Sequence, residues 1–456
     1  MKVVIIGAGE VGFHVASHLA LENKDVVVID RDQEALRRVS DNIDAQTVNG
    51  EGSNPGVLEE AGVKHAEFII AVTDSDQHNL VACLMADIIS PKTKKLARLS
   101  GADFDKYGAH FCSRSPNIDT IINPEIEVVN TIESLMNVPG AVDVGEFAGG
   151  RVKFVGIYLD KTARVAGIRL SELPDIINRP APLIAAIVRE EKLIIPKGTD
   201  RLASGDLIYF ISENDNLLDT LSLFGKHAEP VNNVLIIGGG SIGFRLASRL
   251  EEKPVYTKII EKRPDRCTKL AEQLNKAVIL HGDGSDQEIL SEENIREMDL
   301  VVTLTEDEET NILTSLLVKR MGAQKNITRV SKLSYFPLMN MIGLKQIVSP
   351  QLSAVNTILQ HIRQGRVLSV ISLKGDQAEV IEAIAMESSE IVGRPLKDIA
   401  IPSMVLITGV IRKDKDKVVI PSGSTIIGPG DRIIMFAKRQ AIPKIEKLLS
   451  VKLELF

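Results

Sequence analysis

The sequence predicts an α/β fold with two Rossmann-type doubly wound parallel sheets, each followed by a small α+β domain, in the order N1–C1–N2–C2. Two observations support this prediction. KVVIIGAGEVGFHVASHLA, from Lys2, is similar to NVLIIGGGSIGFRLASRLE, from Asn233. A different pair of similar segments follows, LIIPKGTDRLASGDLIYFI from Leu193 and VVIPSGSTIIGPGDRIIMFA from Val418. Because long internal repeats decide the architecture of a chain, the protein is predicted to be an internal duplication.

The first repeat extends over about a hundred residues, with its matches in order. NGEGS at 49–53 matches HGDGS at 281–285, AVTDSDQHN at 71–79 matches TLTEDEETN at 303–311, and LAR at 96–98 matches ITR at 327–329. The second repeat extends upstream, where GIRLSEL at 167–173 matches GRPLKDI at 393–399. Ordered matches of this length make chance a poor explanation.

Short apolar runs alternate with helical periodicity in both N segments. Continuous apolar runs are typical of parallel strands buried on both faces. The predicted strands of N1 cover 3–6, 26–29, 46–48 and 68–72, and those of N2 cover 234–237, 258–260 and 300–303. Helices are predicted through Val11, Val15 and Leu19, around 33–40 and near 57–61. This alternation predicts doubly wound sheets.

The C segments contain more β-like runs, at 152–159, 207–211 and 432–436, with Gly-Asp turns at 205–206 and 430–431. A helix carrying VNTI, at 129–132 or 355–358, leads out of each N domain. The predicted boundaries are N1 at 1–118, a helical connector at 119–139, C1 at 140–225, N2 at 232–350, a second helical connector at 351–365, and C2 at 366–456.

Composition excludes several classes of function. The net charge of −7 and the 4% aromatic content, with no Trp, argue against a nucleic-acid-binding protein. No apolar run approaches the roughly 18 residues of a membrane span. The three cysteines lie far apart without a CxxC pair, which argues against a disulfide scaffold or a Cys-rich metal site and fits a reducing cytosol.

Each N domain carries a GxGxxG motif between a strand and a helix, the context that gives the motif its meaning. Gly7, Gly9 and Gly12 form the first, and Gly238, Gly240 and Gly243 form the second. Such glycines permit a tight turn, let the backbone approach a pyrophosphate, and allow close helix–strand packing. In the alternative interpretation the glycines only make turns, or one site has decayed.

An acidic residue ends the second strand of each N domain, Asp30 in N1 and Glu261 in N2. A carboxylate there accepts hydrogen bonds from ribose hydroxyls and repels a 2′-phosphate, so NAD is favoured over NADP. Both could instead be mere surface carboxylates.

Polar residues also follow the fourth and fifth strands, at the edge where ligands bind in such sheets. Thr73-Asp74 and Thr305-Glu306 could line a nucleotide or cap the following helices. Arg98 and Arg329 could bind a phosphate or form surface salt bridges.

Catalytic machinery is not evident. None of the eight histidines lies in C1 or C2, so the small domains offer no obvious acid or base beside a nicotinamide. His14 and His18 are spaced i, i+4, but a partly exposed helix face explains them better than a metal site. The sequence therefore predicts a non-enzymatic protein with no catalytic or metal-binding residues; the alternative is a soluble NAD-dependent oxidoreductase.

GAGEVG, VVVID with Asp30, VNGEGS, AVTDSDQHN, LAR with Arg98, and the PKG…SGD segments together resemble the RCK (KTN) modules that regulate potassium transport. Two complete N–C copies resemble the cytosolic subunit of bacterial and archaeal Trk potassium-uptake systems. The resemblance covers essentially the whole chain, and the N–C–N–C order is its most specific feature.

The resemblance implies a regulatory, nucleotide-sensing subunit that binds NAD(H), and in some members ATP or ADP. It also implies a ring-like homotetramer, peripheral on the cytosolic face of the membrane, that gates a TrkH- or TrkG-like potassium-translocating subunit. A regulator of a potassium exporter or channel is a further alternative.

The implied cofactor contacts fall on matching positions in the two halves. In N1 they are Gly7, Ala8, Gly9, Glu10, Val11, Gly12, Asp30, Thr73, Asp74 and Arg98, and in N2 they are Gly238, Gly239, Gly240, Ser241, Ile242, Gly243, Glu261, Thr305, Glu306 and Arg329. One departure concerns Ser100, where some relatives carry a second basic residue. It favours NAD or a diphosphate over a triphosphate in the first site.

Overall fold

The structure is a computed structural model that describes residues 1–161, 163–177, 182–227, 230–363, 366–373, 377–413 and 417–449. Parts of three predicted regions lie outside the described residues. These parts are 162 and 178–181 of predicted C1, 364–365 of the second predicted connector, and 374–376, 414–416 and 450–456 of predicted C2.

N1 contains a six-stranded parallel sheet with the strand order β3-β2-β1-β4-β5-β6. Its strands are β1 (Lys2–Ile6), β2 (Asp25–Asp30), β3 (Gln46–Asn49), β4 (Phe68–Ala71), β5 (Lys94–Arg98) and β6 (Thr120–Ile122). The helices of this half are α1 (Glu10–Leu21), α2 (Gln33–Asn42), α3 (Pro55–Glu60), α4 (Asp76–Ile89), α5 (Ala102–Asp105), α6 (Gly108–Ser113) and α7 (Pro124–Asn137). The predicted parallel sheet is confirmed. Residues 120–122, inside the predicted connector 119–139, form the sixth strand.

Apolar burial explains why these segments fold as they do. In β1 every residue after Lys2 is buried, as expected of a strand covered by helices on both faces. Helix α1 buries Val11, Val15 and Leu19 at helical spacing. Complete burial of each such side chain stabilises the fold by roughly 1.5–3 kcal/mol.

C1 is an antiparallel sheet with the order β10-β9-β11-β8-β7 and two short helices. Its elements are β7 (Ala141–Phe147), β8 (Val152–Tyr158), α8 (Leu173–Ile177), β9 (Leu183–Arg189), β10 (Lys192–Ile194), β11 (Leu207–Glu213) and α9 (Leu217–Leu223). The small α+β domain predicted here is confirmed.

N2 repeats the parallel sheet with the order β14-β13-β12-β15-β16-β17. Its strands are β12 (Asn233–Ile237), β13 (Tyr256–Glu261), β14 (Val278–His281), β15 (Leu300–Thr303), β16 (Asn326–Arg329) and β17 (Gln346–Val348). Its helices are α10 (Ser241–Leu250), α11 (Pro264–Gln273), α12 (Gln287–Glu292), α13 (Glu308–Met321), α14 (Phe336–Met341) and α15 (Pro350–Ile362). The duplication is therefore present in the structure as well as in the sequence.

C2 repeats the small sheet with the order β18-β19-β22-β20-β21. Its elements are β18 (Arg366–Leu373), β19 (Ala378–Ile384), β20 (Val405–Ile411), β21 (Val418–Val419), β22 (Arg432–Lys438) and α16 (Ile442–Leu449). The strand order is the same as in C1, so all four predicted sheet domains are present.

The chain forms two compact units that do not coincide with its two halves. One unit comprises Met1–Glu127, Pro350–Val370 and Ile442–Lys447; the other comprises Val128–Ser349, Ile371–Ala441 and Leu448–Phe456. In the first unit, α15 packs on α1 of N1 through Ala354, Val355 and Ile358. In the second, the apolar face of α7 joins the core beside α10 of N2. Each connecting helix thus packs on the Rossmann domain from the other half of the sequence.

Among the described residues, no helix has both the length and the apolar composition that a membrane crossing requires.

Candidate functional site

A cleft of about 580 Å³ opens in N1 at the carboxyl edge of the parallel sheet. Strand β1 lies between β2 and β4 there, so the chain connections run in opposite directions from this point. Ligands of doubly wound sheets bind at such a switch point. Five predicted site residues line the cleft, namely Gly7, Gly9, Asp30, Thr73 and Asp74.

The glycine turn is built by close backbone approach. Gly7 has a φ of +106°, and a Cβ on Gly12 would lie 1.8 Å from the carbonyl oxygen of Gly7. Gly9 differs, because a Cβ there would meet no atom within 4 Å. Gly9 is the N-cap of α1 and lines the cleft, so the positive end of the helix opens onto the cleft.

The acidic residues after the second strands are held by backbone donors. Oδ2 of Asp30 accepts a 2.6 Å hydrogen bond from the N–H of Ala8. In N2, Oε2 of Glu261 accepts one of 2.8 Å from Gly239. Glu261 is buried. Each carboxylate therefore ties the glycine turn to its neighbouring strand. The surface-carboxylate interpretation is wrong for the buried Glu261, whereas Asp30 is half-buried.

Thr73 is held in place by Asn79, a fully buried residue of α4. Oδ1 of Asn79 accepts from the backbone N–H and the hydroxyl of Thr73, at 3.0 and 2.7 Å. Its Nδ2 donates to the carbonyl oxygens of Thr73 and Arg98. One amide thus joins the ends of β4 and β5 at the cleft.

Asn311 makes the corresponding contacts in N2. It accepts from the N–H and hydroxyl of Thr305, at 2.9 and 2.8 Å, and donates to the carbonyl oxygens of Thr305 and Arg329. Asn79 and Asn311 recur at the same position of AVTDSDQHN and TLTEDEETN, but neither was predicted as a site residue from the sequence.

The arginines after the fifth strands lie beside the residues that follow the fourth strands. Nη1 of Arg98 is 3.3 Å from Oδ1 of Asp74. Nη1 of Arg329 donates to the carbonyl oxygen of Thr305 at 3.1 Å. The structure therefore brings together the predicted Thr, acidic and Arg positions of each site.

The residues that cap α4 and α13 lie one position after Asp74 and Glu306, the alternative caps considered from the sequence. Ser75 caps α4 by accepting from the N–H of His78, and Asp307 caps α13 by accepting from Thr310. The interpretation of Asp74 and Glu306 as caps is therefore wrong, because the chain enters the helix later. Both side chains are exposed at the edge of the sheet.

The remaining predicted residues lie in the first turn of each glycine-loop helix. Val11 and Gly12 are buried, as are Ile242 and Gly243, so they shape the turn from beneath. Glu10 and Ser241 lie nearer the solvent. The imidazole of His14, whose Nε2 lies 3.6 Å from Oε2 of Glu10, and a hydrogen bond from Arg38 hold the pKa of Glu10 at about 2.

Several residues of the cleft were not predicted from the sequence. Arg31, Asp32, Ala35, Glu51 and His78 line the N1 cleft. Nδ1 of His78 lies 3.6 Å from Oε2 of Glu51. The repeated NGEGS and AVTDSDQHN segments signalled both positions, but their chemistry differs between copies: Thr310 stands at the position of His78.

The Gly-Asp turns of the small domains have a structural role. Asp206 is buried and receives two 2.7 Å hydrogen bonds from the guanidinium of Arg189. Asp431 is paired with Arg412 at 2.6 Å. Each Gly-Asp turn is thus tied by an ion pair to an arginine of its own small domain. Within the described part of the chain, no three His, Cys, Asp or Glu side chains are grouped to hold a metal ion.

Models of known families match four segments of the chain. The TrkA-N domain matches residues 3–124 and 234–350, and the TrkA-C domain matches 154–225 and 380–450. The chain belongs to the TrkA family. Among curated relatives of this TrkA-family chain, the Trk system potassium uptake protein TrkA of Azorhizobium caulinodans is 36% identical over 460 residues, covering 100% of both chains. TrkA homolog 2 of Methanosarcina mazei is 37% identical over 456 residues, covering 98% of this chain and all of the relative.

Solved structures share the fold of this TrkA-family chain. The crystal structure of the GsuK RCK domain has a TM-score of 0.60 at 18% identity, covering 98% of this chain and 94% of that one. A structure described as the GsuK channel bound to NAD has a TM-score of 0.58 at 17% identity, covering 98% of this chain and 78% of that one. At sequence identities of 18% and 17%, the structural similarity establishes the fold alone.

Proposed function

We propose that this protein is a non-enzymatic regulatory subunit that senses NAD(H), and adenine nucleotides such as ATP or ADP, to gate a membrane potassium-uptake protein. The observation that carries the proposal is the cleft at the switch point of N1. It combines an open glycine turn, a helix N-terminus and an oriented carboxylate, and N2 repeats the glycine turn and the carboxylate. Twenty residues form the proposed sites, the ten implied in each N domain.

The cleft suits a dinucleotide. The N-terminus of α1 favours a pyrophosphate, and the open space above Gly9 lets that group approach the backbone. Asp30 is oriented by Ala8 and by the N–H of Asp32, at 2.6 and 2.9 Å. Each of its oxygens retains acceptor capacity for a ribose hydroxyl. A carboxylate at this position disfavours a 2′-phosphate by charge repulsion.

The potassium-uptake role is supported by the relatives. Both full-length relatives described above bear the name of the Trk potassium-uptake system. We propose that this chain likewise assembles as a homotetramer on the cytosolic face of the membrane and contacts a TrkH- or TrkG-like subunit. A nucleotide that binds one conformation of the assembly more tightly would shift its population, and the shift is limited by the difference in affinity.

Potassium uptake by cells lacking this gene tests the role in transport. We expect uptake at low external potassium to fall, and to be restored by the wild-type gene but not by one encoding Asp30→Ala. A matched control is Asp44→Ala, an exposed carboxylate that follows α2. Unchanged uptake in the deletion strain contradicts the proposal.

A separate assay addresses catalysis. His78 is an imidazole that lines the N1 cleft, so an oxidoreductase would be expected to use it. We expect purified protein incubated with NADH and carbonyl compounds to show no turnover. Turnover that is lost in both His78→Ala and Asp30→Ala would favour the oxidoreductase alternative.

A further inference from the structure

We infer that the N2 site takes a nucleotide with greater phosphate charge than the N1 site does, namely a nucleoside triphosphate, and that Arg266 contacts its phosphate chain. The inference rests on the proposed function, because it assigns ligand classes to the two proposed sites. It follows from differences in side-chain charge between two sites whose glycine turns have the same backbone geometry.

Arg266 lies over the glycine turn of N2. A Cβ on Gly240, the N-cap of α10, would be 3.7 Å from Nη1 of Arg266. The corresponding glycine in N1, Gly9, has no atom within 4 Å of that point. The difference arises because Ala35 occupies the position of Arg266 in the repeat, and Ala35 lines the N1 cleft. N2 therefore has a guanidinium where N1 has open space.

A second difference also makes the glycine turn of N2 more positive than that of N1. Glu10 begins α1 in N1, and its pKa of about 2 keeps the carboxylate ionised near neutral pH. The corresponding residue that begins α10 in N2 is the neutral Ser241. Relative to N1, the glycine turn of N2 thus loses one negative charge and gains one positive charge.

Four other charged positions around the two sites keep their sign, whereas two positions change: Arg263 replaces Asp32, and the acidic Asp307 replaces Ser75. The matched pairs are Arg31 with Lys262, Glu51 with Asp283, Asp74 with Glu306, and Arg98 with Arg329. Asp30 and Glu261 also match, so both sites keep the carboxylate that favours unphosphorylated ribose. Arg266 places its added positive charge beside Gly240, where the 5′-phosphate chain would bind.

Arg263 is the other new cation of N2, at the position of Asp32. Its guanidinium already contacts the carboxylate of Asp265, at 2.7 Å and 3.3 Å. Arg266 has a looser partner, because its Nη1 lies 3.9 Å from Oε1 of Glu306. Arg266 can therefore exchange this contact for a phosphate oxygen at lower cost, and arginine is well shaped for that contact.

Calorimetric titration of the full chain with ATP, ADP, NAD and NADP, each without metal, tests the inference. We expect two classes of site, one that prefers ATP and one that prefers NAD. In Arg266→Ala the ATP-preferring class should weaken roughly 10- to 100-fold, the effect of losing a charged hydrogen bond. NAD binding to the other class should not change.

Arg263→Ala is the matched control, since it removes the same charge from the same helix region. We expect it to change ATP affinity less than about threefold, as is typical for an exposed, already paired charge. Ala35→Arg is the converse variant, and it should raise the ATP affinity of the NAD-preferring class.

Equal loss of ATP affinity in the two alanine variants would overturn the inference, because it would indicate a long-range charge effect. Two sites with the same ligand preference, or a site that prefers NADP and loses it in Arg263→Ala, would also overturn it. Binding of no nucleotide at either site would contradict the proposed function itself.

Discussion

Glu22 and Arg363 form a buried ion pair although 341 residues separate them in sequence. Oε1 of Glu22 accepts from Nη2 and Nε of Arg363, at 2.7 and 3.1 Å, and both side chains are almost fully excluded from solvent. Glu22 ends α1 and Arg363 follows α15, so the pair joins N1 to the helix that leaves N2.

Breaking this pair should be costly. Arg363→Met leaves the Glu22 carboxylate buried, and we expect it to lower the free energy of unfolding by about 3–5 kcal/mol. The double variant Glu22→Leu/Arg363→Met removes both charges and should recover most of that loss. Urea unfolding measures both. The control is the exposed pair Glu59–Lys64, for which Lys64→Met should cost about 0–1 kcal/mol. Equal instability of the single and double variants would show that the ion pair is not responsible.

The other connecting helix uses the opposite arrangement of charge. Glu133 on α7 binds Arg249 and Lys253 of N2, at 2.7 and 2.6 Å. Partial burial alone would raise the pKa of Glu133, but hydrogen bonds from these two cations hold it below its usual value. Where α15 packs on α1, the carboxylate is Glu22 at the end of the Rossmann helix α1. Where α7 packs on α10, the carboxylate is Glu133 on the connecting helix α7. This difference favours the observed pairing, since α7 docked on α1 would place Glu133 near Glu22.

Glu133→Gln should therefore destabilise the protein less than Arg363→Met does. Both cations are more than a third exposed, so we expect a loss of about 1 kcal/mol in the free energy of unfolding. Glu133→Lys, which places three cations together, should cost more, and added salt should reduce the difference between the two variants. A loss for Glu133→Gln as large as that for Arg363→Met would contradict this interpretation.

The sequence predicted the sheets and the glycine turns because both depend on local patterns. Apolar runs, GxGxxG spacing and Asp30 or Glu261 at a strand end can be recognised within about 30 residues. The docking of α7 and α15 could not be predicted in this way. Both carry the same VNTI segment, so either would suit the apolar face of either Rossmann domain. Charges far apart in sequence distinguish them, namely the pair of Glu22 with Arg363 and that of Glu133 with Arg249.

The role of Asn79 was missed for a related reason. A polar residue on a helix is usually exposed, and the burial of Asn79 depends on how α4 packs against β4 and β5.

Asn79→Ala should leave the N–H of Thr73 and the carbonyl oxygen of Arg98 without this partner. We expect a loss in the free energy of unfolding of about 1–3 kcal/mol per group that remains buried and unpaired. Because Thr73 would lose its anchor, NAD affinity should fall as well. Asn42→Ala, at the exposed end of α2, is the control. Equal losses of stability and NAD affinity in the two variants would show that Asn79 does not hold Thr73 in place.

The glycines of the first turn should separate binding from folding. Gly9→Ala adds a methyl group in open space, and Gly9 has a φ of −65°, so stability should change little. The same methyl group would occupy the space that the proposed function assigns to the pyrophosphate, so NAD affinity should fall at least about tenfold. Gly12→Ala places its Cβ 1.8 Å from a backbone oxygen and should prevent normal folding of N1. Titration and thermal unfolding of both variants test this. Undiminished NAD binding by Gly9→Ala would mean that the ligand does not approach this turn.

Glu10 should make N1 sensitive to acid. Its pKa is lowered from 4.5 to about 2, first by His14 and then by Arg38, so the folded state favours the ionised form. The resulting stabilisation is complete above about pH 4.5 and is lost as the pH falls toward about 2. Since the cluster is partly solvated, we expect it to contribute about 1 kcal/mol. Wild type should exceed Glu10→Gln by that amount in urea unfolding at about pH 6, and the difference should narrow at about pH 3. Glu60→Gln, on the exposed surface of α3, controls for the general loss of a carboxylate. A difference that stays constant or grows on acidification would show that the Glu10 cluster does not stabilise the folded state.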